Sequence, residues 1–413
     1  MIGTPPAKPT PLLRGFTHLL ALAVTAAATI GGSACSSGEA GVTGFDLPSA
    51  ETLGGPVLAR PRIQPIYFKG FPYPTDIETF AARLSASTYW STVVSEYGVG
   101  ALVAAPGYAT AMTVPATVTE NSLPELLAAA LTEGAATVGA ARGDTVYAMF
   151  FGPTTNLLIQ GQTFCDSGAP SSYHDELMIG TMPVAVAIIP TCNVLANAPS
   201  VTGVGVLTLA LSHELVEAVT DPLVNSHPAY SGIDRDHILW AIAIRGAEVG
   251  DLCENEQPLA VTPADLGYPV QRIWSNASAK AGTGPCVPVP PGEMFFQAIA
   301  EMSDHATYLA PSSETVSVPV MNAGVGLSTS ARVSFRTGMG APAELAAAAF
   351  EVDDATSLGL EMPIEFTGAP GRTVMAQIAV SSSTASGVFP LLVRATDSTR
   401  QVLHLWVGGI NRK

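Results

Sequence analysis

The 413-residue sequence predicts an α+β protein: a mixed α/β region followed by an antiparallel β-sandwich. Three observations predict it. Strand-like and helix-like segments alternate from Gly54 to about residue 290, and a proline-rich stretch, Pro285 to Pro291, then interrupts the chain. Beyond it, short β-branched runs recur between Gly, Ser, Asp and Pro.

The first segment is expected to be absent from the mature fold. Lys8 and Arg14 precede an apolar run from Phe16 to Ile30 and the small residues Gly31-Gly32-Ser33-Ala34-Cys35, the layout of a secretory signal over residues 1–35. The run falls short of the roughly 20 apolar residues that a membrane helix needs. Ser33-Ala34-Cys35-Ser36-Ser37-Gly38 resembles a bacterial lipobox with Cys35 as the lipidated residue, although Gly32 stands where a larger aliphatic is usual. The sequence therefore predicts export, either as a surface or periplasmic lipoprotein touching the membrane only through Cys35, or as a freely secreted protein. Residues 36–50, rich in Ser, Gly and Ala, read as a flexible tether.

Residues 51–290 form the expected α/β unit. Pro56 to Phe68 reads as a strand, Thr75 to Ser87 and Leu123 to Thr137 as helices, and Thr145 to Phe151 and Met182 to Pro190 as buried strands. Val204 to Thr220 can be laid on a helix with Leu211, Leu215, Ala218 and Val219 on one side and His213, Glu214, Glu217 and Asp221 on the other. Residues 291–413 form the expected sandwich. Its strand candidates are Glu314 to Val320, Ala331 to Phe335, Met362 to Phe366, Val374 to Ser381, Val388 to Ala395 and Val402 to Val407, with a helical turn at the alanine-rich stretch Glu344 to Phe350. The segment Ser386 to Leu391 and its flanking strands resemble the last hairpin of immunoglobulin-like modules, which implies a fold and no function.

Without residues 1–34 the chain keeps 16 basic groups against 34 acidic ones, a formal charge of −18, which argues against nucleic acid as a partner. Four cysteines remain after Cys35: Cys165, Cys192, Cys253 and Cys286. Three pairings are formally open. Cys165 with Cys192 and Cys253 with Cys286 each bracket a compact, turn-rich stretch, and a bridge of that loop size stabilises by roughly 3 kcal/mol. A four-cysteine zinc site would need pairs two to four residues apart, and there are none.

The residues with chemical potential centre on Ser212 to Pro222. His213 and Glu217 are four apart and reach one point above the same helical face. Zinc peptidases use that spacing with two histidines, the glutamate after the first acting as general base; here Glu217 replaces the second histidine and Glu214 follows the first. Zinc accepts a carboxylate ligand, but the added charge hardens the site, so Ca²⁺ or Mn²⁺ also suits it. Downstream, Gly246-Ala247-Glu248-Val249-Gly250-Asp251-Leu252-Cys253-Glu254 places a Glu three residues before an Asp. By analogy with one family of zinc proteases, Glu248 would be the third ligand and Asp251, with Asp221, an outer partner that orients the ligands.

Gly54-Gly55-Pro56-Val57-Leu58 leading into Ile66-Tyr67, then Tyr89-Trp90 with Tyr97, Tyr147 to Phe151, Phe164-Cys165, Tyr173-His174, His213 to Pro222, Glu248 to Cys253 and Gln271 to Asn276 together resemble the exordium or phosphate-induced secreted proteins. The similarity spans roughly residues 52–286. It implies an extracellular protein with a zincin-like helix, and no proven peptidase.

Lesser candidates are Tyr173-His174-Asp175-Glu176, beside a bridge, and His227 and His237 in a loop with Asp234 and Asp236. Loop histidines are more often solvated or hydrogen-bonded than ligating. Asn276-Ala277-Ser278 matches a glycosylation sequon, and Trp274 reads as a core or cleft-wall aromatic. The pattern as a whole predicts a metal-dependent hydrolase acting on a peptide or protein substrate, with one zinc ion and Glu214 as base. A non-catalytic extracellular surface or matrix protein with the same fold, with or without a structural ion, is the alternative.

Overall fold

The computed structural model describes residues 46–165, 172–193, 195–310, 314–323, 328–337, 345–352, 364–366, 373–379, 386–397 and 402–412. The expected secretory signal, the expected lipobox at Cys35 and most of the expected tether lie outside the described residues.

Two unbroken apolar runs become central strands because both faces of their sheet are covered. Thr145–Phe150 lies between Arg62–Tyr67 and Met182–Ile189, parallel to both, and Tyr173–Ile179 closes one edge antiparallel to Met182–Ile189. Val103–Ala104 and Tyr108–Ala109 pair in parallel with Arg62–Tyr67. Side chains alternate across a strand. Val146, Ala148, Phe150, Ala185, Ala187 and Ile189 therefore pack in one core with the helix Val204–Thr220, and Tyr147, Met149, Val184, Val186 and Ile188 pack in another with Leu123–Glu133.

Val204–Thr220, the central helix, has the bounds its periodicity predicts. Its environment differs from a half-exposed amphipathic helix, because every residue from Gly205 to Thr220 is buried. The sheet, its edge strand Tyr173–Ile179 included, packs against it, and so does Val270–Gln271. Its ionisable residues thus point into the protein interior.

Several expectations need correction. The strand expected from Pro56 begins at Arg62 and carries a proline within it, Pro65, opposite Ala148. The expected tether does not run to residue 50: Ala50 is buried, Ser49 N–H donates to Asp234, and Ala50–Glu51 pairs with Gly232–Ile233. Leu123–Glu133 stops at Gly134, short of Thr137. The expected helical turn at Glu344 to Phe350 is a strand, Leu345–Val352, paired antiparallel with Gly387–Asp397 and Ile364–Phe366; sheet pairing on both sides overrides the helix preference of alanine.

The remaining C-terminal candidates are all strands, in two sheets. Phe296–Ala300, Ser328–Thr337 and Thr373–Ala379 form one, antiparallel throughout. The other runs Asp304–Leu309, Thr315–Ala323, Leu403–Arg412, Gly387–Asp397, Leu345–Val352, Ile364–Phe366, with one parallel contact between Thr315–Ala323 and Leu403–Arg412. Val318, Val333, Phe335, Val393 and Trp406 fall in the same core as the central helix, joined through Leu239 and Trp240 of the helix Ile238–Ile244. The protein is a mixed α+β structure in which antiparallel sheets predominate toward the C-terminus. Both expected disulfides are present, Cys165–Cys192 and Cys253–Cys286. Among the described residues no helix is long and apolar enough to cross a membrane.

Buried polar pairs fasten the strand-rich part to the rest. The Glu256 carboxylate pairs with His404 Nδ1 and accepts Leu405 N–H at 2.8 Å, with both side chains almost fully buried. Arg272 forks onto Glu293 and also donates to the carbonyls of Cys286 and Pro258. Removing one partner of a buried pair leaves the other without compensation, so Glu256→Ala is expected to lower the unfolding free energy by about 3–5 kcal/mol, measured by denaturant unfolding with the disulfides intact.

Near the start of the described chain, His237 lies between Asp234 at 2.6 Å and Asp46 at 3.1 Å. Burial opposes its charge, but the two carboxylates outweigh that effect and raise its pKa to about 9. A histidine raised above its unfolded value of about 6.5 contributes stability that is fully present below that pH and lost as pH rises through 9. The difference in melting temperature between wild type and His237→Gln should therefore be largest near pH 6 and shrink on going to pH 10. A difference that stays constant across that range would rule out the linkage.

Candidate metal centre

Three segments bring seven ionisable side chains together: His174 from the edge strand, His213, Glu214 and Glu217 from the central helix, and Glu248, Asp251 and Glu254 from the turn that follows. Strand register places His174. It stands opposite Ala187, and cross-strand partners share a face; Ala187 belongs to the face that the central helix covers. Tyr173 and Leu177 accordingly pack in the other core.

Glu217 is the meeting point. Its Oε1 accepts the Asp251 backbone N–H at 3.2 Å, which leaves Oε2 3.2 Å from His213 Nε2 and 3.3 Å from His174 Nδ1. Glu214 reaches the same two rings, Oε2 to His174 Nδ1 at 3.4 Å and Oε1 to His213 Nε2 at 3.8 Å. Glu248 Oε2 lies 3.3 Å from His174 Nε2, and Asp251 Oδ1 lies 3.9 Å from His213 Nε2. The helix residues are the deepest, and exposure rises to 12 % at Glu248 and 23 % at Asp251, so water approaches from the side of the turn.

The turn holds its place through the backbone. Gln271 donates from Nε2 to the Gly250 carbonyl and from its N–H to Ser212 Oγ, while Tyr89 Oη donates to the Gln271 carbonyl. Trp274 N–H bonds the Val249 carbonyl, and Cys253 is bridged to Cys286. Two glycines permit the close approach. A Cβ on Gly246 would overlap the Asp251 carboxylate, and one on Gly250 would lie 2.6 Å from Glu217 Oε1 and 2.7 Å from His213 Nδ1.

Charge is tightly coupled here. Burial disfavours the protonated forms of His174 and His213, yet the surrounding carboxylates hold both well above the ordinary histidine range. Burial would raise Glu217, but the two imidazoles pull its pKa below the usual carboxylate range. Glu248, Asp251 and Glu254 are all pushed up, first by burial and then by their acidic neighbours, Glu217 among them. At such a site protons and a metal cation compete for the same donor atoms.

The donor set fits a divalent metal. Three groups each gather potential ligand atoms within 4.8 Å: His174 with Glu217 and Glu248; His213 with Asp251 and Glu254; and His213 with Glu214 and Glu217. His174 Nε2 is buried and has no hydrogen-bond partner despite facing Glu248, as expected of a ring awaiting a ligand instead of a donor.

Compared with the sequence expectation, His213, Glu214 and Glu217 meet as the spacing requires, and Glu248 joins them beside His174. Asp251 faces the same His213 nitrogen as Glu217, while Nδ1, where an orienting partner would sit, has no hydrogen bond. Asp221 lies past the helix end and accepts Ala229 N–H at 2.6 Å; it acts on Glu248 through its charge. His227, His237, Asp234 and Asp236 fall in none of the three groups. Trp274 is a core residue, edge-on to Trp240. Asn276 is engaged on both atoms of its amide, bonding the Ala50 N–H and carbonyl. Sequence reasoning ranked His174 too low and missed Glu254. The alternation along Tyr173 to Leu177, read against a buried neighbouring strand, is the signal that would have placed His174 on the helix side.

No protein-family model and no curated protein matches the chain. Among solved structures, wild-type OgpA from Akkermansia muciniphila is similar at 11% identity over 86% of this chain and 93% of that chain, with a TM-score of 0.22, a likeness too low to bear on fold or activity.

Gly250→Ala forces a methyl group against two buried side chains that have nowhere to move. Overpacking of this kind costs about 1–3 kcal/mol. A lower midpoint in urea unfolding, with unchanged slope, is the expected outcome, and an unchanged midpoint would show that the turn can yield.

Proposed function

We propose that this chain is an exported metal-dependent hydrolase of zinc-peptidase type, with Glu214 as its general base. The observation that carries this reading is the convergence of His174, His213, Glu214, Glu217 and Glu248 in one buried pocket of the fold, with a turn covering the helix that bears three of them. His213 and Glu217 would hold the ion, with Glu248 or His174 beside them. Both nitrogen and carboxylate donors suit zinc, and the carboxylate excess also suits Mn²⁺ or Ca²⁺. Bound there, the ion would supply Lewis-acid polarisation of a carbonyl and acidification of water. Glu214, held between the two imidazoles, would accept a proton from the attacking water and return it to the leaving amine. Burial strengthens each of these charge interactions.

The mixed sheet with its antiparallel edge strand and covering helix supports a zincin-like reading of residues 51–290, and the two packed sheets support an immunoglobulin-like reading of residues 291–413. The two disulfides suit an oxidising compartment, as the signal over residues 1–35 requires, with Cys35 the lipid attachment point in a lipoprotein. Resemblance to the exordium-type secreted proteins fits the same setting.

One observation favours the second reading, a non-catalytic surface or matrix protein: only 5 % of the Glu214 side chain is exposed. Glu214→Gln separates the two, because it keeps the shape and removes the base. With casein and a mixed peptide library as substrates, hydrolysis should fall at least ~10²-fold while metal content and melting temperature barely change. A wild type that cleaves nothing with or without chelator would favour the surface-protein reading instead, and a Glu214→Gln variant as active as wild type would remove Glu214 as the base.

A further inference from the structure

We infer that the site holds two divalent cations, not one, bridged by Glu217: one ion taken by His174 and Glu248, the other by His213, Asp251 and Glu254. This rests on the reading that the cluster binds divalent metal at all.

The donor atoms gather around the two imidazoles. His174 stands in one group with Glu217 and Glu248, and His213 in two, one with Asp251 and Glu254 and one with Glu214 and Glu217, so that Glu217 is common to both imidazoles. Glu217 connects them, since a single oxygen, Oε2, stands 3.2 Å from one imidazole and 3.3 Å from the other. Its second oxygen is fixed by the Asp251 N–H, so the shared oxygen cannot swing away without losing that bond. His174 Nε2, on a ring with 9 % exposure, has no hydrogen-bond partner and stands 3.3 Å from Glu248 Oε2, an observation independent of the acidic cluster.

Charge also asks for more than one ion. Five carboxylates converge on two imidazoles, and no lysine or arginine of the described residues pairs with any of the five. With the imidazoles neutral and ligating and all five carboxylates ionised, as metal binding would require, one divalent ion offsets two of five negative charges, and a pair offsets four. Buried charge without compensation is strongly unfavourable, so the pair is the better-matched occupant. Two-ion sites are used for hydrolysis because both the attacking and the leaving oxygen or nitrogen can be stabilised together.

The test is metal titration of the mature, disulfide-intact chain after chelator treatment, with Mn²⁺ followed by electron paramagnetic resonance and elemental analysis, and with Zn²⁺ by elemental analysis. Two ions per chain and a spin-coupled manganese signal are expected. His174→Gln, and separately Asp251→Asn with Glu254→Gln, should each reduce the count to one and abolish the coupling, with folding checked by circular dichroism. If a variant fails to fold, wild-type stoichiometry and coupling decide the matter alone. One ion without coupling overturns the pair and leaves the proposed hydrolase centre standing; two ions that survive both variants also overturn it; no ion at any concentration removes both the pair and the hydrolase reading.

Discussion

A helix that is buried on all sides yet carries His213, Glu214 and Glu217 imposes the main constraint on this structure. Those groups cannot be hydrated, so every neighbouring element must either compensate their charge or seal the space around them. The edge strand supplies His174 on the face toward the helix. The turn Gly246 to Glu254 supplies backbone N–H groups and further carboxylates, and two glycines let it come close enough to do so.

The supporting structure around that turn is correspondingly dense. Gln271 spans from Ser212 on the helix to Gly250 in the turn, so helix and turn are positioned by one residue. Arg272, the next residue, is fully buried and holds Glu293 and the Cys286 carbonyl. The Cys253–Cys286 bridge then ties the end of the turn to the strand beside it. Val249, Leu252, Cys253 and Cys286 also lie in the apolar core that one face of the sheet shares with the central helix.

What was legible in the sequence follows from which signals are local. The central helix and the two apolar strands could be read because each depends on residues close in the chain, and the cysteine pairings because each pair, 27 and 33 residues apart, brackets one compact stretch. His213, Glu214 and Glu217 shared that advantage, being placed by a single helical turn. His174 did not, since its orientation is set by register against Ala187 on another strand, and alternation on an edge strand has no meaning until the covered face is known. Glu254 was hidden for a related reason: it follows the cysteine that anchors the turn, and only the closed bridge directs it back toward His213. The alanine-rich Leu345–Val352 strand failed in the opposite direction, where a local helix preference was real and non-local pairing overrode it.

The placement of Glu254 also explains why the strand-rich C-terminal part belongs to the site and is not an appendage. Over five consecutive residues the chain does several incompatible-looking things: Cys253 is bridged, Glu254 joins His213 and Asp251, Glu256 pairs with His404, and Gln257 exchanges backbone hydrogen bonds with Leu403. Glu254 is therefore clamped from one side by a covalent bond and from the other by a buried ion pair and a β-bridge to the C-terminal strand. A carboxylate drawn into an already acidic pocket is repelled by its neighbours, and burial adds to that penalty. Local preference would swing it out to solvent. The Cys253–Cys286 bridge on one side and the contacts of Glu256 and Gln257 with Leu403 to Leu405 on the other fix the backbone that carries it, which links this site residue to a strand more than a hundred residues downstream.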